Sequence, residues 1–377
     1  MTRRERLMAT LNGKPVDRPA VNFYEIGGFS VDPNDPDPFN VYNDPSWKPL
    51  LELAEEKTDI IRMAWPNCTA AYPECVMDHI KHEEYEEAGS RFTRVNLSVA
   101  GRNMTSLIRR DPDVSTTWTL EHLLKDVDDV KAYLQLPDEF FKVNVDVSNL
   151  VSIDEEIGDR GIVMVEVADP LCQAASLFSM EDYTIIALTE QELFHALLNK
   201  LSKSIYEMVD HVARQFPGHL WRICGAEYAT EPYLPPNLFE EYVVRYTQPI
   251  VESIQSHGGF ARIHCHGRIS KALPHFVAMG ASAIDPVEPF PQGDVNLADV
   301  RREYGNDLVI FGNLEIADVE NMEPAKFEEV VKQTLIDGTS GTGKGFVLMP
   351  TSSPYGRKIT PTTLANYETM VRLASEF

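Results

Sequence analysis

The chain has 377 residues, of which 43% are hydrophobic and 24% charged, and a formal net charge of -24 at pH 7. That length allows one large domain or two ordinary ones with a sizeable core, while the acidity excludes nucleic acid and anionic membrane as natural partners. No window approaches a membrane span. The five scattered cysteines contain no CxxC pair, which excludes a disulfide framework or a four-thiolate zinc site and sets the expectation of a reduced, cytoplasmic protein.

Taken in order, Thr2 to Leu11 predicts a short Thr-capped helix ended by Asn12-Gly13. Ala20 to Ile26 predicts the first strand, and the Asp-Pro-rich stretch from Ser30 to Trp47 a loop. A helix over Pro49 to Lys57 leads to a second strand, Asp59 to Trp65. Residues from about 68 to 136 read as an insertion into one domain spanning residues 1–377. Within it Arg91 to Leu97 alternates as a hairpin ribbon, and Thr117 to Leu136 reads as helices rich in Asp and Lys.

From there the pattern is regular. Strands are expected at Gly161 to Val167, His219 to Cys224, Phe260 to His266, Ala281 to Ile284, Leu308 to Phe311 and Phe346 to Met349. The intervening helices are expected near Thr189 to Phe216, Pro236 to His257, Ile269 to Met279, Leu297 to Tyr304, Pro324 to Asp337 and Thr362 to Glu376. Short apolar strands alternating with helices predict parallel β/α units, and eight of them predict a (β/α)8 TIM barrel with an inserted hairpin region after strand 2.

In that fold, chemistry sits at the C-terminal strand tips. The tips here carry Glu25, Asp169, Glu227, His264, His266, Asp285, Glu288, Asn313, Glu315, Ser352 and Ser353. Side chains alternate along a strand, so His264 and His266 share a face about 6 to 7 Å apart, while Cys265 points the other way. Two imidazoles with one carboxylate would give a catalytic zinc an open position. Glu288, on a loop stiffened by three prolines, and Glu227 are the candidate third ligands. A core histidine and salt bridges to Arg222, Arg262 or Arg268 are the plain alternatives. Gly338 to Lys344 looks like a phosphate loop, but Gly345 follows the lysine and a strand follows the loop, so it reads as an ordinary connection.

The chain resembles the uroporphyrinogen decarboxylase superfamily, and more closely its corrinoid-dependent methyltransferase branch. The resemblance rests on Arg3-Arg4-Glu5-Arg6 through Asp17-Arg18-Pro19, Gly225-Ala226-Glu227-Tyr228, His264-Cys265-His266-Gly267, Gly312-Asn313 and Thr360-Pro361 with Asn366. It implies a (β/α)8 barrel. Two departures stand out. The Arg-rich segment that decarboxylases carry after the first strand is replaced by Phe23 to Phe29, without arginine. The methyltransferases' His-x-Cys and later Cys become His264, His266 and the Ser352-Ser353-Pro354 region.

The resemblance, so modified, implies a zinc-dependent methyltransferase that moves a methyl group from a small methoxy compound to a corrinoid on a separate protein. A His/His/carboxylate zinc would be more electrophilic than a thiolate site and would suit an oxygen ligand. Zinc would be held by His264, His266 and Glu288, with Glu227, Tyr228, Asp169 and Asn313 as catalytic candidates. Glu25, Arg268, Glu315, Ser353 and Tyr355 would contact substrate, and Tyr228 or Tyr355 would protonate the departing oxygen. The rivals are a cofactor-free decarboxylase or lyase using Asp169, Arg268 and Arg357, and a non-catalytic barrel binding a metal or a partner. A homodimer stays open.

Overall fold

The computed structural model describes residues 1–354 and 356–377. Its frame is an eight-stranded parallel sheet. The strands are β1 (Ala20–Val21), β2 (Ile60–Ala64), β3 (Gly161–Ala168), β4 (Leu220–Cys224), β5 (Phe260–Cys265), β6 (Ala283–Pro286), β7 (Val309–Leu314) and β8 (Phe346–Pro350). They run in the order β1-β8-β7-β6-β5-β4-β3-β2, every neighbouring pair parallel. Parallel pairing needs a crossover each time, and the helices supply it. The result is a curled, TIM-barrel-like α/β fold.

The first and last strands of that order meet at Asp59. Its backbone N–H donates to the Val21 carbonyl at 2.7 Å, and its carboxylate accepts from the Val21 N–H at 2.9 Å. The carboxylate is fully buried and is matched by Arg6 and by Arg18 at 2.8 Å. A buried carboxylate without cations would be costly, so the arginines of the opening segment are a structural clasp. Helix Arg3–Leu11, capped by Thr2 and Glu5, lays Leu7 and Leu11 against the apolar lumen. The larger core lies outside the sheet, beneath the helices, and includes Trp221, Ile250, Phe276 and Tyr367. Each such side chain contributes about 1.5 to 3 kcal/mol on burial.

Two expectations change. Only Ala20–Val21 of the first expected strand joins the parallel sheet, because Tyr24 turns the chain with φ of 57° and Phe23 bridges back to Ile26. The stretch expected to be helical from Thr117 is a strand, Thr117–Glu121, as far as Glu121, and the helix is Val127–Tyr133. Thr-Trp-Thr-Leu-Glu suits a pleated surface better than a helix; it pairs antiparallel with Arg102–Arg110. That pair belongs to a four-stranded antiparallel sheet with Ile80–Glu87 and Ser90–Val99, between β2 and β3 in the chain. Its tight turns, Ala88-Gly89 and Ala100-Gly101, hold both residues at positive φ, where the second glycine carries no Cβ penalty. No helix among the described residues is long and apolar enough to cross a membrane.

Candidate active site

Strand parity decides what enters the lumen. Val309 and Phe311 of β7 belong to the lumen cluster, with Ile162 and Met164 of β3 and Leu220 of β4. Stepping by two from these residues brings Glu166, Arg222, Arg262, His264, Asp285 and Asn313 to the same interior, toward the C-terminal tips. Cys265 lies on the opposite face, in the core under the helices.

The deepest of these groups form a chain. Arg262 Nε lies 3.0 Å from Asp285 Oδ1, and His264 Nδ1 donates to Asp285 Oδ2 at 3.0 Å. Arg222 Nη2 donates to His264 Nε2 at 3.0 Å and to the Tyr24 hydroxyl, and Arg222 Nη1 pairs with Glu166 at 3.1 Å. Tyr24 is fixed in its positive-φ turn by the Asn22 side chain, which accepts its N–H at 2.9 Å. Left-handed backbone at a bulky residue is costly, and such strain clusters at functional sites.

The partners settle the tautomer of His264. A carboxylate only accepts and a guanidinium only donates, so Nδ1 carries the proton and Nε2 is an acceptor. Burial, followed by the neighbouring Arg222 charge, lowers its pKa to about 3, so the ring is neutral. Burial pushes the Asp285 carboxyl up, but Arg262, His264 and Arg222 outweigh it and hold the group well below the usual range.

His266, two residues on, has another environment. Its side chain is 36% exposed against 6% for His264. Nδ1 donates to Glu288 Oε1 at 2.7 Å, and Glu288 Oε2 accepts from the Gly267 N–H at 2.6 Å. Desolvation would lower the His266 pKa, but the Glu288 hydrogen bond and charge, with Glu227 and Asp285 behind them, raise it. Glu227 is itself pushed up, by burial first, and His266 opposes that rise. His266 and the two glutamates thus form a proton-holding cluster at the mouth.

These contacts test the zinc expectation. The two rings lie 4.6 Å apart between centroids and stand at 87° to one another. Both nitrogens of His264 are engaged, one by a permanently charged guanidinium beside which a cation would be repelled. Among the described residues no three His, Cys, Asp or Glu side chains are placed to hold a metal ion. The expected His264, His266, Glu288 set therefore does not fit zinc: His264 is a buried hydrogen-bonding link, and Glu288 is the partner of His266.

The other expected residues divide. Glu25 accepts from Ser353 at 3.0 Å, and Glu315 accepts from Thr351 at 3.3 Å. Asn313 is a buried residue near the C-terminal end of β7. Asp169 is instead a helix cap, accepting from the Cys172 N–H at 2.7 Å and the Thr247 hydroxyl at 2.8 Å; burial raises its pKa to about 7. Tyr228 packs edge-on against Tyr183, and burial pushes its hydroxyl up to about 12, which makes it a poor acid. Arg268 is exposed and lines a separate cleft with Glu231, Lys271 and Asp294. Arg357, the expected carboxylate grip of the lyase reading, is occupied by the Pro38 and Pro112 carbonyls and by Asn43. Tyr355 lies outside the described residues. Sequence reasoning missed Tyr24 and Glu166 and considered Arg222 and Arg262 only as salt-bridge partners; the position of Glu166 and Arg222 two residues after the lumen residues Met164 and Leu220 was a usable signal.

A family model described as uroporphyrinogen decarboxylase (URO-D) matches residues 115–377, well over half of the chain. No curated protein sequence matches it. Among solved structures, a methyltransferase from Methanosarcina mazei is similar at 15% identity and a TM-score of 0.59, covering 100% of this chain and 99% of that one. This likeness supports the fold. A glycoside hydrolase family 138 enzyme targeting pectin rhamnogalacturonan II is far more distant, at 12% identity and a TM-score of 0.34 over 67% of this chain and 30% of that one.

Proposed function

The chain belongs to the uroporphyrinogen decarboxylase family, and on that premise we propose that it is a methyltransferase acting on a small methoxy compound, with His266 as the general acid. The methyl–oxygen bond breaks as the acceptor takes the methyl group, and the His266 proton passes to the departing oxygen, leaving a neutral alcohol or phenol. The acceptor is a reduced corrinoid carried by a separate protein, which supplies the nucleophile when docked. On this reading the sheet is a (β/α)8 barrel in one domain, with residues 68–136 inserted.

The observation that carries the reading is the bond from His266 to Glu288 at 2.7 Å, at the barrel mouth and beside Glu227. A proton shared among an imidazole and two carboxylates is available at neutral pH and is replenished from solvent. It does for a departing oxygen what the expected zinc would have done. The deeper chain of Arg262, Asp285, His264 and Arg222 holds the floor of the site rigid. The decarboxylase reading loses support from the same arginines, since each is already paired with a carboxylate of this chain.

The test is to incubate the protein with a panel of small methoxy compounds and cob(I)alamin and to follow methylcobalamin by absorbance. Protein-dependent methylcobalamin formation that falls sharply in His266→Gln is expected. Release of carbon dioxide from porphyrinogens or small acids, with no methylcobalamin, would overturn the reading.

A further inference from the structure

The barrel lumen holds a small chamber against the arginines of the floor. Asn22, Tyr24, Arg222 and Arg262 line it, and Ile61 with methionines of β2, β3 and β8 forms the rest of its wall. Every lining residue is buried. The chamber measures about 10 Å³, the room that one water-sized occupant needs.

The polar groups that reach this chamber are donors. Arg222 Nε and Arg262 Nε are buried and have no hydrogen-bond partner among the described residues. The 3.0 Å approach of Arg262 to Asp285 is a charge contact that leaves this N–H unsatisfied. The Tyr24 hydroxyl accepts from Arg222, so its own O–H is left to donate. Acceptors are scarce: the Asn22 oxygen already takes the Tyr24 N–H at 2.9 Å, and a thioether accepts only weakly. A buried N–H without an acceptor costs free energy that a bound acceptor recovers. A water here would find donors on several sides and little to donate to, whereas an anion only accepts.

Charge agrees with that count. Burial, helped by the neighbouring Arg222 charge, lowers the Arg262 pKa against the pull of Asp285. Burial also raises the carboxyl of Glu166, the partner of Arg222, which weakens the second counter-charge. Two guanidinium groups in a low-dielectric lumen are thus incompletely offset by the protein.

We propose that this chamber is an internal halide site, in which one chloride accepts from Arg222, Arg262 and the Tyr24 hydroxyl. Its size admits a monatomic ion and excludes carboxylates and phosphates. The methionine walls are soft and adjust to a polarisable ion. No bond is made or broken; the ion offsets the guanidinium charge beside His264 and so anchors the floor.

The test uses the full chain, freed of chloride by exchange into gluconate, whose anion is too large to enter. Unfolding midpoints are followed as chloride replaces gluconate at constant ionic strength, and crystals grown in bromide are read for anomalous scattering. The midpoint is expected to rise and then saturate with chloride, and bromide to give a peak within hydrogen-bond reach of both guanidinium groups. Tyr24→Phe keeps the ring and removes one donor, and should raise the half-saturating chloride concentration about fivefold. A midpoint indifferent to which anion is present, or no bromide peak in the chamber, overturns the proposal. So does a folded Tyr24→Phe chain that responds to chloride as the parent does.

Discussion

Two imidazoles at one strand end, separated by a single cysteine, live in different chemical worlds. His264 is sealed in the lumen between Asp285 and Arg222 and is neutral. His266 opens at the mouth between carboxylates and holds a proton. Side-chain type and face are identical; depth along the barrel axis differs. The deeper histidine builds a rigid floor and the shallower one is free for chemistry, so depth decides role where parity cannot.

The comparison breaks most visibly at the floor. Asp285→Ala removes the carboxylate that is ion-paired with Arg262 and hydrogen-bonded by His264, and leaves buried guanidinium charge uncompensated. A loss of about 3 to 5 kcal/mol in urea unfolding is expected, and a loss under about 1 kcal/mol would show that the floor chain does not hold the barrel. At the mouth the balance reverses. His266→Ala should leave stability within about 1 kcal/mol but lower methyl transfer by about 10²- to 10⁴-fold, read as initial rates beside an unfolding curve.

Acidity sharpens the contrast. His264 has a native pKa near 3, below its unfolded value of about 6.5. Below pH 6.5 the unfolded chain therefore takes up a proton that the native chain refuses, and stability falls progressively toward pH 3. His266 has a raised native pKa, so its contribution is fully present below pH 6.5 and is lost as pH rises through the native value. Replacing His264 by Gln should flatten the unfolding midpoint between pH 6.5 and 3, whereas His266→Gln should flatten it above pH 6.5. The smallest expected effect lies away from both histidines: Thr247→Val removes one hydrogen bond to the Asp169 cap and should cost about 1 kcal/mol.

Much of this arrangement was legible in the sequence. Strands alternating with helices gave the parallel sheet, and the polar tips placed Glu25, Glu227, His266, Glu288 and Glu315 at one end of it. Periodicity also put His264 and His266 on one face. It could not say that about two residues of rise along a lumen separates open solvent from full burial, which is why the pair read as a metal site. The plain alternative for Glu227 and Glu288 was a salt bridge to Arg222, Arg262 or Arg268, but the structure pairs Arg222 and Arg262 with Glu166 and Asp285, one strand away in the sheet. Register between strands is a tertiary property that no single strand encodes. Thr117–Glu121 was lost to its charged neighbours, Asp126 to Lys131, whose helix begins only after Lys125.

The most direct test is an NMR titration of the two imidazoles in the intact protein. The His266 ring should titrate above pH 6.5 and the His264 ring should stay neutral, with its proton on Nδ1, down to the pH of unfolding. A His264 ring that titrates near pH 6.5 in the folded protein, or a His266 ring already neutral at pH 6, would contradict the division of roles on which the account stands.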